Sequence, residues 1–197
     1  MRFILCVLGL VLLSTAAMGE EVTRKAGDTS LNFSFNGMNL SDYKYGIGGK
    51  RWLTADLAAT ASLDIYRSGD DAKTTTSGIE TDTNYDHTWY GLSIGMEKHL
   101  AAHHNLSPYW GGELTYSNQR LSTGPTYTST SSTSKQYGIN ALFGVEYALV
   151  ENISLAAEYS YGYSYYHRTM NDGISNTDER YKRFGGGAGR LMLQFYM

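Results

Sequence analysis

Two prolines and one cysteine stand in a chain of 197 residues. The cysteine, Cys6, lies inside the first twenty residues. A chain processed beyond that point has no disulfide and no thiol chemistry. No internal run of about 18 apolar residues follows, which excludes helical membrane spans. It does not exclude strands, whose membrane signal is spread over alternate residues. Positive charge is scarce too: Lys and Arg number 16 against 19 Asp and Glu. A nucleic-acid binder is normally basic, so the balance argues against that class. What the chain does have is 22 glycines and 17 tyrosines. Together they favour thin, β-rich structure over helix.

The opening MRFILCVLGLVLLSTAAMGE resembles a secretory signal peptide. Arg2 supplies the positive end, residues 3–13 the apolar run, and Ala17-Met18-Gly19 a small-x-small cleavage site. Cys6 comes too early to be a lipid-attachment position. The expected organisation is a signal peptide over 1–19 and one domain over 20–197. Losing Arg2 leaves 15 basic against 19 acidic residues, a net charge of −4.

Eight segments of the remainder alternate with a period of two, the signature of strands with two chemically different faces. In residues 153–168, ISLAAEYSYGYSYYHR, the first face carries Ile153, Leu155, Ala157, Tyr159, Tyr161, Tyr163 and Tyr165. The second carries mostly small or polar residues. The other segments lie near residues 29–37, 43–52, 56–67, 88–99, 109–119, 136–148 and 185–197. Connections after the second, fourth and sixth are short; those after the third, fifth and seventh are long and polar. A membrane barrel expects this alternation, and segments of about 9–12 residues suffice for a tilted strand to cross the hydrocarbon. A soluble barrel would show water many charges on its polar phase. Here that phase is mainly Gly, Ser, Thr, Ala and Asn, which suits the crowded inside of a narrow cylinder. The expected fold is therefore all-β: a closed, eight-stranded, antiparallel, up-and-down transmembrane β-barrel. Closure follows because strands in lipid tolerate no unpaired edge. Trp52, Trp89, Tyr90, Tyr109, Trp110, Tyr137, Tyr147, Tyr163 and Tyr165 lie near strand ends, where rings settle at the two water–lipid interfaces.

The inward phase also carries charge: Lys44, Lys50, Asp64, Glu97, Glu113, Glu146, Glu158 and Arg190. Lone charges in a packed lumen are costly, so pairing is expected. Counting from the short turns sets Glu158 beside Arg190 near mid-barrel and Lys44 opposite Asp64. Lys50, Glu97 and Glu146 fall near the periplasmic mouth, and Glu113 has no obvious cationic partner. Such pairs either plug the pore or form a gated, low-conductance path.

On these features the chain resembles the small eight-stranded bacterial outer-membrane barrels of the OmpA transmembrane domain, OmpX and opacity-antigen type. The end, Gly189-x-Leu191-x-Leu193-x-Phe195, is similar to the signal read by the barrel-assembly machinery, with Tyr196 and Met197 added after the aromatic. The resemblance implies the bacterial outer membrane, lipid and lipopolysaccharide as surroundings, and structural, adhesive or small-porin roles. The expected function is structural or surface interaction through loops 68–86, 120–136 and 169–182, with an extracellular ligand possible there. A small low-conductance porin is the alternative. Asp70, Asp71, Glu80 and Asp82 offer a weak route to lipid phosphates through divalent cations.

A second alternative is a hydrolase of the lipid A deacylase kind, which needs a nucleophile beside a histidine on the lipid-facing wall. The candidates are His167 with Thr169, and Ser175 further on. His99, His103 and His104 crowd one turn, but a turn is no fixed scaffold for a metal. No phosphate loop or nucleophile elbow is present, and GGGAG at 185–189 reads as thin barrel wall. The sequence thus assigns no catalytic residue, no metal and no cofactor.

Overall fold

The computed structural model describes residues 23–36, 44–76, 79–103, 105–124, 130–171 and 173–197. The expected signal peptide over 1–19 lies outside them. Eight strands follow in order: β1 (Thr29–Asn36), β2 (Lys44–Trp52), β3 (Leu57–Thr76), β4 (Ile79–His99), β5 (Leu106–Gly124), β6 (Thr130–Val150), β7 (Ile153–Asn171) and β8 (Asn176–Tyr196). Each pairs antiparallel with its neighbour, and β1 closes the ring on β8 through Leu31↔Phe195, Phe33↔Leu193 and Phe35↔Leu191. No helix among the described residues is long and apolar enough to cross a membrane.

The cylinder's slant can be read from its register. From Phe35, directly opposed residues run through Tyr45, Ile65, Tyr90, Asn118, Lys135 and His167 to Arg180 on β8. In the other direction Phe35 opposes Leu191 on the same strand. The path misses itself by 191 − 180 = 11 residues, one of which belongs to a bulge described below. A stagger of about ten over eight strands, at about 3.3 Å per residue and 4.8 Å per strand, tilts the strands by about 40°. That is the slant of outer-membrane barrels. On β6 the outward residues from Tyr137 to Tyr147 cover about 33 Å of strand and about 25 Å of height at this tilt.

Period-two patterning decides which residues face lipid. On β4, Ile94 is 61% exposed while Ser93 beside it is 9%. Leu92, Leu114, Ile139, Phe143, Leu155 and Leu191 point outward likewise. The glycines point inward where close approach demands it: a Cβ on Gly162 or Gly111 would run into the carbonyl of the neighbouring strand.

Two expectations are corrected. The polar stretches 68–86, 120–136 and 169–182 are mainly strand rather than loop: β3 runs to Thr76, and β4 resumes at Ile79. Water faces both sides of these extensions, so no apolar alternation marks them, yet their Thr and Ser residues suit a β backbone. Second, Trp52 and Tyr109 are buried in the bore at 3% and 4% exposure, and Trp89 lines its outer cavity. Trp52 and Tyr109 sit near strand ends and Trp89 in the middle of β4, all on the inward phase, where phase overrides the aromatic preference for interfaces.

GGGAG forms a bulge. Tyr159 opposes Gly189, whereas Tyr161 opposes Gly186, so three steps on β8 match two on β7. One extra residue switches faces. Below the bulge the even-numbered residues Arg190, Met192 and Gln194 turn inward; above it Arg183 lines the bore and Phe184 faces out at 68% exposure.

Candidate functional site: the charged bore

Seven of the eight predicted charges have described side chains, and six of them form two stacked groups. In the upper group Arg190, directly opposite Glu158 in register, sends Nη1 to Glu158 Oε1 at 3.2 Å. Its Nη2 lies 3.7 Å from Glu113 Oε2, and Asn140 Nδ2 donates to Glu113 Oε1 at 3.0 Å. Glu113 therefore has the cationic partner that the sequence did not reveal. It lies three strands from β8 in the ring, a distance that only the closed cylinder folds into contact. Tyr109 donates its hydroxyl to Glu158 Oε2 at 3.2 Å.

Asp64 faces the bore as expected but is not opposed by Lys44. The register sets Gly46 across from it, and Ser34 donates to it at 3.1 Å. The β2–β3 turn is two residues wider in register than counting across Leu53-Thr54-Ala55 suggested, since Trp52 opposes Ala58. The Lys44 side chain lies outside the described residues.

In the lower group Lys50 is 2% exposed, with Nζ 2.7 Å from Glu97 Oε2 and 3.0 Å from Glu146 Oε2. Glu146 accepts further bonds from Ser154 Oγ at 2.9 Å and from the Tyr196 hydroxyl at 2.8 Å. His99 belongs here rather than in the turn. It is 4% exposed, with Nε2 3.2 Å from Glu97 Oε2 and its ring between Trp52 and Tyr109, at 4.4 Å and 4.8 Å between centroids. His103 stays in the turn, and His104 is outside the described residues.

Sequence reasoning missed Arg24, which precedes every strand. The segment before β1 folds across the periplasmic mouth, and the Arg24 guanidinium sits 3.4 Å above the Tyr196 ring, its Nη2 3.8 Å from Glu146. No period marks a residue outside a strand. Tyr196, Gln194 and Ser154 were legible through phase alone, as inward members of β7 and β8.

The two groups divide the lumen. An outer cavity of about 460 Å³ opens upward above Arg190, and a vestibule of about 390 Å³ opens below beside Arg24 and His99. Between them the bore holds a void of only about 20 Å³, lined by Glu97, Glu158, Arg190 and Leu142 among others. Buried carboxylates are costly unless paired and hydrogen-bonded, and here each of these glutamates is.

Outside the bore, His167 Nε2 lies 2.5 Å from Asp178 Oδ1, and the Thr169 hydroxyl bonds the same carboxylate at 3.4 Å instead of the imidazole. The bond from His167 holds the Asp178 carboxyl below its ordinary range. Asp70 and Asp71 stand on consecutive, opposite-facing positions of β3, and the Glu80 and Asp82 side chains are outside the described residues. Gly189, Leu191, Leu193 and Phe195 lie along the closing strand, the last three opposing β1. Among the described residues no three His, Asp, Glu or Cys side chains converge as metal ligands.

A closed antiparallel ring with hydrocarbon side chains outside and ion pairs inside is a transmembrane β-barrel. A family described as "Outer membrane protein beta-barrel domain" matches residues 3–189, and the chain belongs to that family in the bacterial outer membrane. Its backbone is similar to OprG of Pseudomonas aeruginosa, with 11% identity, 90% of this chain and 99% of that one covered, and a TM-score of 0.60. It is similar also to a major outer membrane protein of Thermus thermophilus, with 13% identity, 87% and 100% covered, and a TM-score of 0.55. No curated protein matches the sequence.

Proposed function

We propose that this barrel is a blocked cylinder that works at the cell surface, in structural or surface interaction through its extracellular hairpins, and does not conduct solutes steadily. The observation that carries this reading is the plug. Lys50 bridges two glutamates, Arg190 bridges two more, and about 20 Å³ of void separates the groups. The protein reconstituted in planar bilayers is expected to show no steady conductance. Discrete openings in the wild-type protein, altered by Glu158→Gln or Arg190→Ala, would establish the porin alternative. That alternative draws support from the two cavities reaching the plug from opposite ends.

The same reading takes the chain as non-catalytic. The Thr169 hydroxyl engages Asp178 rather than His167, so this pair lacks the nucleophile-to-base bond that a hydrolase of this kind would need. A lipid A mass spectrum from expressing cells is expected to be unchanged. Loss of an acyl chain, abolished by His167→Ala, would reverse this. The outward side chains of Leu191, Leu193 and Phe195 are proposed as the signal read by the barrel-assembly machinery.

A further inference from the structure

The lipid-facing wall over β4 to β8 is not evenly clad. A groove of about 700 Å³ lies there, walled by Ile94, Leu114, Ile139, Tyr161 and Phe184. Its floor is low because Gly112 and Ala141, directly opposed, supply almost no side chain. A Cβ on Gly112 would meet nothing nearer than a carbonyl at 3.6 Å, so packing within the wall does not require glycine there. Glycine in a strand weakens it and often marks close approach by something else.

Charge caps the groove. Ala141 lies below Lys135 on β6, by about 20 Å of strand and about 15 Å of height at the tilt above. The groove therefore occupies the outer half of the apolar band. Above it, outward on neighbouring strands, stand Lys135, Lys182 and Arg180, all exposed, with Tyr137 and Tyr165 at the boundary. Arg180 faces Asp178 at 3.5 Å. Neither Lys135 nor Lys182 joins an ion pair among the described residues.

We propose that this face holds one phosphorylated glycolipid of the outer leaflet, of the lipid A class: an acyl chain lies in the groove over Gly112 and Ala141, and the phosphates meet Lys135, Lys182 and Arg180. This names a partner for the surface role above and rests on it only for the barrel's orientation. The cations sit on strands two apart, roughly 10 Å, and at different heights. A sugar headgroup with a phosphate at each end can reach both, whereas a phospholipid presents one phosphate to one of them. Ammonium and guanidinium bonds to phosphate are of the strong, charge-assisted kind.

Native mass spectrometry of the folded barrel in mild detergent tests the site, with bis-phosphorylated lipid A, dephosphorylated lipid A and phosphatidylglycerol as probes. Retention of one bis-phosphorylated lipid A is expected, with the other two held about tenfold less. Gly112→Phe, which fills the groove, should lower retention about tenfold, and so should Lys135→Ala with Arg180→Ala and Lys182→Ala. Heat-dependent gel mobility reports folding, and the cation variant leaves the wall untouched if Gly112→Phe does not fold. Retention at the wild-type level by either folded variant overturns the proposal. So does equal binding of phosphatidylglycerol, or a dimer of this chain that Gly112→Phe dissociates. Conductance reads the bore and lipid retention the wall, so each reading fails alone.

Discussion

Removing the Lys50 side chain would expose how the lower half of the bore is held. Its ammonium is the nearest cation to both Glu97 and Glu146, at 2.7 Å and 3.0 Å, and all three groups are at most 4% exposed. Lys50→Met keeps the length of the stem and deletes the charge. Two carboxylates then share a pocket closed above by Tyr109 and below by Arg24, with Arg24 at 3.8 Å from Glu146 and the His99 imidazole at 3.2 Å from Glu97 left to offset them. Breaking a buried ion pair from one side costs about 3–5 kcal/mol. Replacing all of its members with neutral groups of similar volume is nearly neutral. Urea unfolding from lipid vesicles, followed by tryptophan fluorescence and gel mobility, should therefore lose about 3–5 kcal/mol for Lys50→Met. Most of that should return in the triple variant that adds Glu97→Gln and Glu146→Gln. A loss below about 1 kcal/mol for the single variant, the value of an exposed pair, would refute the reasoning. It would mean that water already solvates this part of the bore.

Neighbouring glycines should answer oppositely to alanine. Gly111→Ala drives a methyl into the Met96 carbonyl and should cost about 1–3 kcal/mol. Gly112→Ala meets only ordinary contact and should gain about 0.4–1 kcal/mol, both read by the same unfolding assay. The Asp178 carboxyl is lowered by its bond from His167, so what it contributes to the β7–β8 tip is present above about pH 3.9 and lost as the pH falls further. Hydrogen-exchange protection at residues 169–180 should drop on acidification. Asp178→Asn should lack that drop, and an identical drop in the variant would remove the carboxylate from the account.

Much of the architecture was legible because one rule governs each strand. A side chain meets either hydrocarbon or bore, and the difference in chemistry is large enough to see in Ile139-Asn140-Ala141. The rule also put Glu158 beside Arg190, since short turns fix their heights. It failed where long-range closure decides. Glu113 finds Arg190 only after the sheet has curled round, and nothing local announces it. It failed too where both faces are wet, as in residues 68–86, and where a side chain lies before the first strand, as with Arg24. Trp52, Tyr109 and His99 show a third cause: residue type suggested an interface or a turn, and phase sent them into the bore.

The extra residue among Gly186 to Gly189 is slack in β8 rather than part of its pairing with β7. Deleting a single glycine there would straighten the strand and leave every side chain on its present side, Lys182 and Phe184 outside and Arg183 in the bore, because Tyr161 would still oppose Gly186 and Tyr159 Gly189. A lineage could thus lose one codon at this point without altering what the cell shows its surroundings or renegotiating how the cylinder is sealed.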